Sequence, residues 1–373
     1  MTAMRMNERR SVLPGIKQYF TVFDGPLALI VFLIMSIGIV SVYSAGFDFP
    51  GRIESHLRNI LIAFIMMWIA AIVPPQTLMR FAVPLYVLGV GLLIAVAMFG
   101  MIKKGSRRWS DIGIVIQPSE IMKIAVPLML AWFFQKREGM IRWPEFTMAT
   151  ILLMIPIALI LKQPDLGTSL LVMGSGFFVI FLAGLPWKVL IGLGVAGAAS
   201  LPVIWSVLHD YQRHRVLTLI DPTTDPLGKG FHIIQSTIAI GSGGIAGKGW
   251  LNGTQSHLEF IPERTTDFVF AVFSEEFGLI GNAVLLVLYL LLIGRGLLIA
   301  ANAPTLFSRL LAGALTLMLF TYAFVNMGMV SGILPVVGVP LPFVSYGGTA
   351  FVTLGLGVGI LMSIQRHRKL VQT

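Results

Sequence analysis

The sequence has no cysteine and few charged residues. Charged residues make up 12% of the 373 residues and hydrophobic residues 56%, whereas about 25% charged is usual for a soluble domain. This composition excludes an ordinary soluble fold. The lack of cysteine excludes disulfide bonds and thiolate metal sites. We therefore expect an all-α integral membrane protein.

The net charge of +10 raises the question of nucleic acid binding. Its carriers are scattered through short segments between apolar runs and do not form one basic stripe. We therefore expect no nucleic acid partner.

Apolar runs long enough for membrane helices recur along the chain. A hydrocarbon core of about 30 Å requires about 20 apolar residues in a helix. This criterion predicts about ten transmembrane helices, at 26–44, 59–74, 80–101, 119–135, 147–162, 168–185, 187–207, 267–294, 309–332 and 346–364.

The N-terminal segment is basic, with Arg5, Arg9, Arg10 and Lys17, and resembles the start of a signal peptide. The apolar run that follows is long and has no small-residue cleavage site after it, so we interpret it as an uncleaved first span. With an even number of spans, the basic residues near both ends place both termini in the cytoplasm.

This topology predicts a single polytopic domain over 1–373. A cytoplasmic segment covers 1–24, a large extracytoplasmic loop covers 208–266 between spans 7 and 8, and a cytoplasmic tail covers 365–373. The short external segment at 103–109 carries four cations where few are expected, which suggests that an anionic group is bound there.

Glu120 and Lys123 are ionisable residues in a predicted span. They are three residues apart, so they share one helix face and can pair. One interpretation is a buried structural ion pair. The other is that Lys123 faces a cavity and holds an anionic group while Glu120 positions it.

Asp165 follows Gln163-Pro164 at a break between two apolar runs. It is either the N-cap of the next helix or an acidic ligand that faces the same cavity.

Asp267 lies where the polar loop meets the eighth span. It is either the N-cap of that helix or a base, since a helix N-terminus favours an ionised carboxylate.

The glycine-rich run at 241–249 has a lysine like that of a nucleotide-binding loop. It lacks glycine at Ser242, five residues before the Gly-Lys pair, and has Gly249 where Ser or Thr is required. We interpret it as a flexible or close-packed loop.

Several motifs along the chain together resemble the SEDS family (shape, elongation, division and sporulation proteins), in particular its RodA-like elongation members. The motifs are KGSRRW at 104–109, QPSE at 117–120, QPDLGT at 163–168, DP at 221–222, DPLG at 225–228, QS at 235–236, GSGG at 241–244, GKG at 247–249, ERTTDF at 263–268, PVVGVPLP at 335–342 and SYGG at 345–348.

This resemblance implies ten membrane helices and a peptidoglycan glycosyltransferase that polymerises lipid II during cell elongation and rod-shape maintenance. It places the family's essential carboxylate on Asp267 and other important positions on Arg108, Glu120, Lys123 and Asp165. It also implies a class B penicillin-binding protein as the crosslinking partner, with other membrane proteins of the elongation complex. The segment around Glu54 and Arg58 aligns poorly, so no role is carried over there.

In the implied reaction, a sugar hydroxyl attacks the anomeric carbon of a second lipid-linked disaccharide and expels a lipid pyrophosphate. The leaving group is already a stable anion, so one base and fixed cations suffice for an inverting transfer. We expect Asp267 to be the base and Arg108, with Lys123 or Lys104, to hold the pyrophosphate. A divalent cation, Mg or Mn, could share this charge with Asp165 or Glu120 as ligand.

Two other functions fit part of the pattern. A flippase for the lipid-linked precursor would also have charged groups in the membrane, but it needs access to both faces, whereas the polar clusters here map to one. A structural scaffold for the wall-building complex would not need the Asp267 carboxylate.

Overall fold

The structure is a computed structural model that describes residues 23–99, 101–103, 106–111, 115–163, 165–208, 213, 216–218, 221–224, 229–257, 261 and 263–368. The basic residues at positions 5, 9, 10 and 17, and also Lys104, lie outside these residues.

In the described residues, ten long helices form the body of the protein, and each overlaps one of the predicted spans. They are α1 (Gly25–Ala45), α2 (Arg52–Ile72), α3 (Pro75–Phe99), α4 (Pro118–Gln135), α5 (Trp143–Leu161), α6 (Leu166–Leu182), α7 (Trp187–Val207), α10 (Val269–Ala301), α11 (Leu306–Val330) and α12 (Gly348–Arg368). The helical fold class is therefore confirmed. Between α7 and α10, the described loop residues form a 3₁₀ turn (Pro222–Thr224), α8 (Lys229–Ser242) and α9 (Thr254–His257).

Seven of the helices in the described residues are long and apolar enough to cross a membrane: α1, α2, α3, α5, α10, α11 and α12. The helices α6 and α7 are apolar but have shorter apolar stretches. Large hydrophobic side chains such as Phe32, Phe81 and Leu290 are exposed on the outer faces. Apolar side chains on the outside of a helix bundle are expected where lipid is the solvent.

In the external segment predicted at 103–109, the described residues lie in strands. The strands β1 (Met101–Lys103), β2 (Ser106–Asp111) and β3 (Val115–Ile116) make a small antiparallel sheet in the order β1-β2-β3. The sheet lies between α3 and α4 along the chain, so Lys103, Arg107 and Arg108 of the cationic segment lie in strands.

Among the seven long apolar helices of the described residues, α11 and α12 are the most buried. Gly355 and Gly359 bring α12 against α2, since a Cβ on them would lie 2.7 Å from the carbonyl oxygen of Ala63 and 2.3 Å from that of Met67. The small residues at this four-residue spacing therefore serve helix packing.

Hydrogen bonds fix which helix ends share a membrane face. On one face, Arg295 near the end of α10 pairs with Asp24 before α1, at 2.5 Å, and Gln135 of α4 accepts from the amide of Phe307 in α11, at 2.8 Å. On the other face, Arg264 donates to the carbonyl of Ala45 at the end of α1, at 2.8 Å. We call this second face, which carries the described part of the 208–266 segment, the loop face.

Candidate active site

Glu120 and Lys123 form the predicted ion pair in the first turns of α4. The Nζ of Lys123 lies 2.5 Å from Oε1 of Glu120, and only 3% of the Lys123 side chain is exposed. The hydroxyl of Thr353 in α12 donates to the other Glu120 oxygen at 3.2 Å, and Lys123 Nζ lies 5.1 Å from the centre of the Tyr322 ring in α11. The pair thus joins three helices, as a structural pair would, while Glu120 also lines a groove.

This groove lies among α2, α3, α4 and α12 and has a volume of about 560 Å³. Most of its wall is apolar, and the polar groups come from five side chains. The lining residues are Asn59, Ile62, Leu85, Gln117, Glu120, Ile121, Ile124, Gly348, Thr349, Val352, Thr353 and Leu356. Such a groove can hold an apolar chain with a polar group at one end.

Asp165 is the N-cap of α6, as one of its two interpretations predicted, and its role as an acidic ligand stays a prediction. It caps α6, since its carboxylate accepts from the Thr168 amide at 3.2 Å and from the Thr168 hydroxyl at 2.9 Å. The side chain of Gln117, which lines the groove, donates to the same carboxylate at 3.1 Å. Asp165 is therefore buried between the start of α6 and the start of α4.

Asp267 lies on the loop face, two residues before α10, and is half-buried. The structure places Phe268 rather than Asp267 at the N-cap of this helix. The reason is a turn in which Glu263 O accepts from the amides of Thr266 and Phe268, so the helix begins one residue later than the spacing suggested. Asp267 is therefore not the N-cap residue of α10.

The stretch 337–339 lies between Asp165 and Asp267. A Cβ on Gly167, at the start of α6, would lie 2.7 Å from the carbonyl oxygen of Val337. A Cβ on Gly338 would lie 3.3 Å from Oδ2 of Asp267. The structure thus brings Glu120, Lys123 and Asp165 into one polar cluster and places Asp267 across this stretch from it. Arg108 lies in β2, and its role and that of Lys104 stay predictions.

Arg264 anchors the segment before Asp267, and the sequence did not reveal this role. The buried guanidinium donates to the carbonyl of Ala45, pairs with Asp48 and lies 5.2 Å from the centre of the Phe49 ring. The next residue, Thr265, accepts from the Tyr346 amide at 2.8 Å. All these partners are distant in sequence. The only signal of this role in the sequence was therefore the arginine itself, at the start of an apolar span.

Helix α10 is broken at Gly278, where φ is 62° and ψ is −158°. Residues 269–277 form a half-helix that starts beside Asp267, and 279–301 form a longer helix. The glycine-rich run supplies hydrogen bonds at the break: Lys248 N donates to Glu275 O at 3.0 Å, and Leu279 N donates to Gly244 O at 2.9 Å. Backbone groups freed inside a membrane must be satisfied by protein, so this run is a close-packed loop.

Two further carboxylates, which the sequence analysis did not single out, are buried at this break. Glu275 accepts from Lys248 Nζ at 2.6 Å and from the amides of Thr254 and Gln255, the first residues of α9. Glu276 accepts from the hydroxyl of Ser44 in α1. Two adjacent acidic residues inside an apolar span were a signal that could have found them.

Among the described residues, there is no group of three or more acidic or histidine side chains that could hold a metal ion. The divalent cation therefore stays a prediction.

Comparisons with known proteins identify the family. The sequence model of the FtsW/RodA/SpoVE family, described as "Cell cycle protein", matches residues 26–370, and the chain belongs to this family. It is 53% identical over 351 residues to the peptidoglycan glycosyltransferase MrdB of Escherichia coli K12, covering 93% of this chain and 95% of the relative. It is 34% identical over 357 residues to the stage V sporulation protein E of Bacillus subtilis, covering 92% and 97%.

Two solved structures are also similar to this chain. A chain from the structure of a peptidoglycan synthase complex, described as coordinating polymerization and crosslinking, matches with a TM-score of 0.81 and 34% identity, covering 93% of this chain and 98% of that one. The rod shape determining protein RodA of Thermus thermophilus matches with a TM-score of 0.70 and 28% identity, covering 93% and 97%.

Proposed function

We propose that this chain is a peptidoglycan glycosyltransferase that polymerises lipid II into glycan strands by inverting transfer, with Asp267 as the general base. The observation that carries the proposal is the position of Asp267. It is a half-buried carboxylate at the start of a broken membrane helix, across one short stretch of chain from a polar cluster and a lipid-sized groove. The similarity to MrdB, whose name states this activity, supports the reaction class.

In this reaction Asp267 takes the proton from the attacking sugar hydroxyl as the new bond to the anomeric carbon forms. The lipid pyrophosphate leaves from the opposite side with the bonding electrons, so the configuration at that carbon is inverted. We assign the pyrophosphate to Arg108 and Lys104. Because Lys123 is buried and paired with Glu120, its first role is to compensate that carboxylate, and it contacts the substrate only through Glu120 or when the pair opens.

The groove beside Glu120 is suited to the isoprenoid chain of one lipid II molecule. Its apolar wall matches hydrocarbon, and its polar residues Gln117 and Asn59 lie where a headgroup would begin. Gln117 also contacts Asp165, which places the groove and the acidic cluster in one connected site. If a divalent cation, Mg or Mn, takes part, Asp165 or Glu120 would hold it, and it would share the negative charge of the pyrophosphate.

We place the protein in the bacterial plasma membrane, with both termini and Arg366 in the cytoplasm and the loop face outside. The basic last turn of α12 lies at the opposite end of that helix from the site, in agreement with the positive-inside rule. The division of 1–373 into one membrane domain with an extracytoplasmic loop at 208–266 stays a prediction.

The partner we propose is a class B penicillin-binding protein, which would crosslink the strands that this chain makes during cell elongation. The support is the similarity to a chain of a synthase complex that coordinates polymerization and crosslinking. Other membrane proteins of the elongation complex are further expected partners.

The test is polymerisation of lipid II by the purified Asp267→Asn variant. We expect a loss of about 10²- to 10⁴-fold in rate, because that is the usual contribution of a positioned base. The control is Glu54→Gln, which removes an exposed carboxylate in the first turn of α2 and should leave the rate unchanged.

Wild-type polymerisation by Asp267→Asn would refute the assignment of the base. Lipid II translocation in vesicles by a preparation that makes no glycan would favour a flippase. Complementation by Asp267→Ala in cells would favour a scaffold.

A further inference from the structure

Asn326 is a fully buried amide near the end of α11 that contacts the backbone of Asp267. Its Nδ2 donates to the carbonyl oxygen of Asp267 at 2.9 Å and to that of Val339 at 2.7 Å. Both partners are acceptors, so the nitrogen must point toward them. One amide group thus ties α11 to Asp267, two residues before the half-helix, and to the stretch 337–339.

The oxygen of the same amide makes this arrangement energetically unfavourable. Within the described part of the chain, the Oδ1 of Asn326 is buried and has no hydrogen-bond partner. A buried acceptor without a partner is unfavourable, and a leucine of similar shape would avoid it. The two hydrogen bonds from Nδ2 therefore hold two backbone carbonyl groups in place, which an apolar side chain could not do.

Gly338 lies beside the Asp267 carboxylate. Its φ is 74°, a conformation that other residues rarely adopt, and a Cβ there would lie 3.3 Å from Oδ2 of Asp267. Because Asn326 holds the neighbouring carbonyl of Val339, the same amide fixes both the backbone of Asp267 and the wall that faces its carboxylate.

We propose that Asn326 and Gly338 are positioning residues that set the place and orientation of the Asp267 carboxylate. The proposal rests on the proposed function, in which Asp267 is the base. A base must lie within hydrogen-bond reach of the hydroxyl from which it takes the proton, and a displacement of about 1 Å can cost about 10²-fold in rate. Neither residue touches the substrate.

The first test compares Asn326→Leu with Ser236→Ala in purified protein. Ser236 in α8 also makes a buried hydrogen bond to α11, from its hydroxyl to the carbonyl of Val330 at 2.8 Å. Val330 lies one turn along α11 from Asn326. We expect Asn326→Leu to lower kcat by about 10- to 100-fold with little change in the KM for lipid II. Ser236→Ala should keep kcat within about twofold, whatever it does to the melting temperature.

The second test compares two glycines in the same connection between α11 and α12. Gly332 and Gly338 have φ values of 73° and 74°, so alanine strains the backbone equally at both. A Cβ at position 332 would meet only methyl groups of Ile233 and Thr237, at 3.4 Å. We expect similar losses of thermal stability, but only Gly338→Ala should lower kcat and shift its pH profile.

Several outcomes would overturn the proposal. Wild-type kcat in both Asn326→Leu and Gly338→Ala, beside an inactive Asp267→Asn, would refute it and leave the proposed function intact. An equal loss of kcat in each variant and its control would show a general structural role. If Asn326→Leu does not fold, the comparison of the two glycines decides. Activity in Asp267→Asn would instead refute the proposed function.

Discussion

The two parts of the site are built in different ways. Around Glu120, charged and polar side chains contact one another: Lys123 pairs with Glu120, Thr353 donates to it, and Gln117 donates to Asp165. Around Asp267, several contacts hold main chain, beside the ion pair of Arg264 with Asp48. Asn326 binds two carbonyl oxygens there, and the glycine-rich run binds the backbone at the break in α10.

This difference indicates what each part does. A cluster of buried side chains compensates its own charges, so its removal should first affect the stability of the bundle. A segment held by its backbone can present a side chain that stays partly exposed, as Asp267 does. Substitutions near Asp267 should therefore lower turnover more than stability. Substitutions near Glu120 should lower stability more than turnover.

The largest stability effect should follow from Lys123→Met. This change keeps most of the length of the side chain but leaves the Glu120 carboxylate without its cation in a buried site, where only 3% of Lys123 is exposed. We expect the free energy of unfolding in detergent to fall by about 3–5 kcal/mol, the usual cost of breaking a buried ion pair. Denaturant titration followed by tryptophan fluorescence would measure it.

The double variant Lys123→Met with Glu120→Gln is the control. It removes both charges, so much of the lost stability should return. If Lys123→Met is as stable as the wild type but does not polymerise lipid II, then the lysine holds an anionic ligand and the contrast between the two parts fails.

A smaller effect should come from the glycine-rich run that supports the half-helix. In Gly247→Ala the new Cβ would lie 2.1 Å from the carbonyl oxygen of Glu276, in a residue with φ of 79°. In Gly244→Ala it would meet nothing within 4 Å, although φ is also positive, at 56°. We expect Gly247→Ala to cost about 1–3 kcal/mol more than its control, because the loop must move away from the break.

The same pair of variants tests whether the loop supports the site. Moving the loop would displace the last turn of the half-helix that starts beside Asp267, so polymerisation should fall further in Gly247→Ala than in Gly244→Ala. Equal rates in the two variants would show that Asp267 is held without this loop.

The sequence predicted the parts of the molecule that depend on local pattern. The ten helices follow from the length of the apolar runs, the pairing of Glu120 with Lys123 follows from their three-residue spacing, and the cap at Asp165 follows from its place after Gln163-Pro164. Each of these depends on residues within a few positions of one another.

Most of the remaining features depend on partners far apart in the chain. The apolar run of α10 continues through Gly278, and the groups that satisfy the break lie about 30 residues earlier, so the pattern shows one span. Asn326 looks like a polar residue near a helix end until its two carbonyl partners are known. The strands at 101–116 pair with one another over a few residues, which is too short for a clear alternating pattern.

The smallest expected effect separates the two roles of Asp165. Asparagine caps helices about as well as aspartate, whereas alanine costs about 1 kcal/mol, so a cap alone predicts stable Asp165→Asn and a slightly destabilised Asp165→Ala. Asn can also accept from Gln117, but it lacks the charge that a metal ion or a substrate contact would need. Wild-type polymerisation by Asp165→Asn would therefore make the residue a cap and exclude it from the chemistry. A rate loss in Asp165→Asn at unchanged stability would instead extend the functional region from Asp267 to the cluster around Glu120.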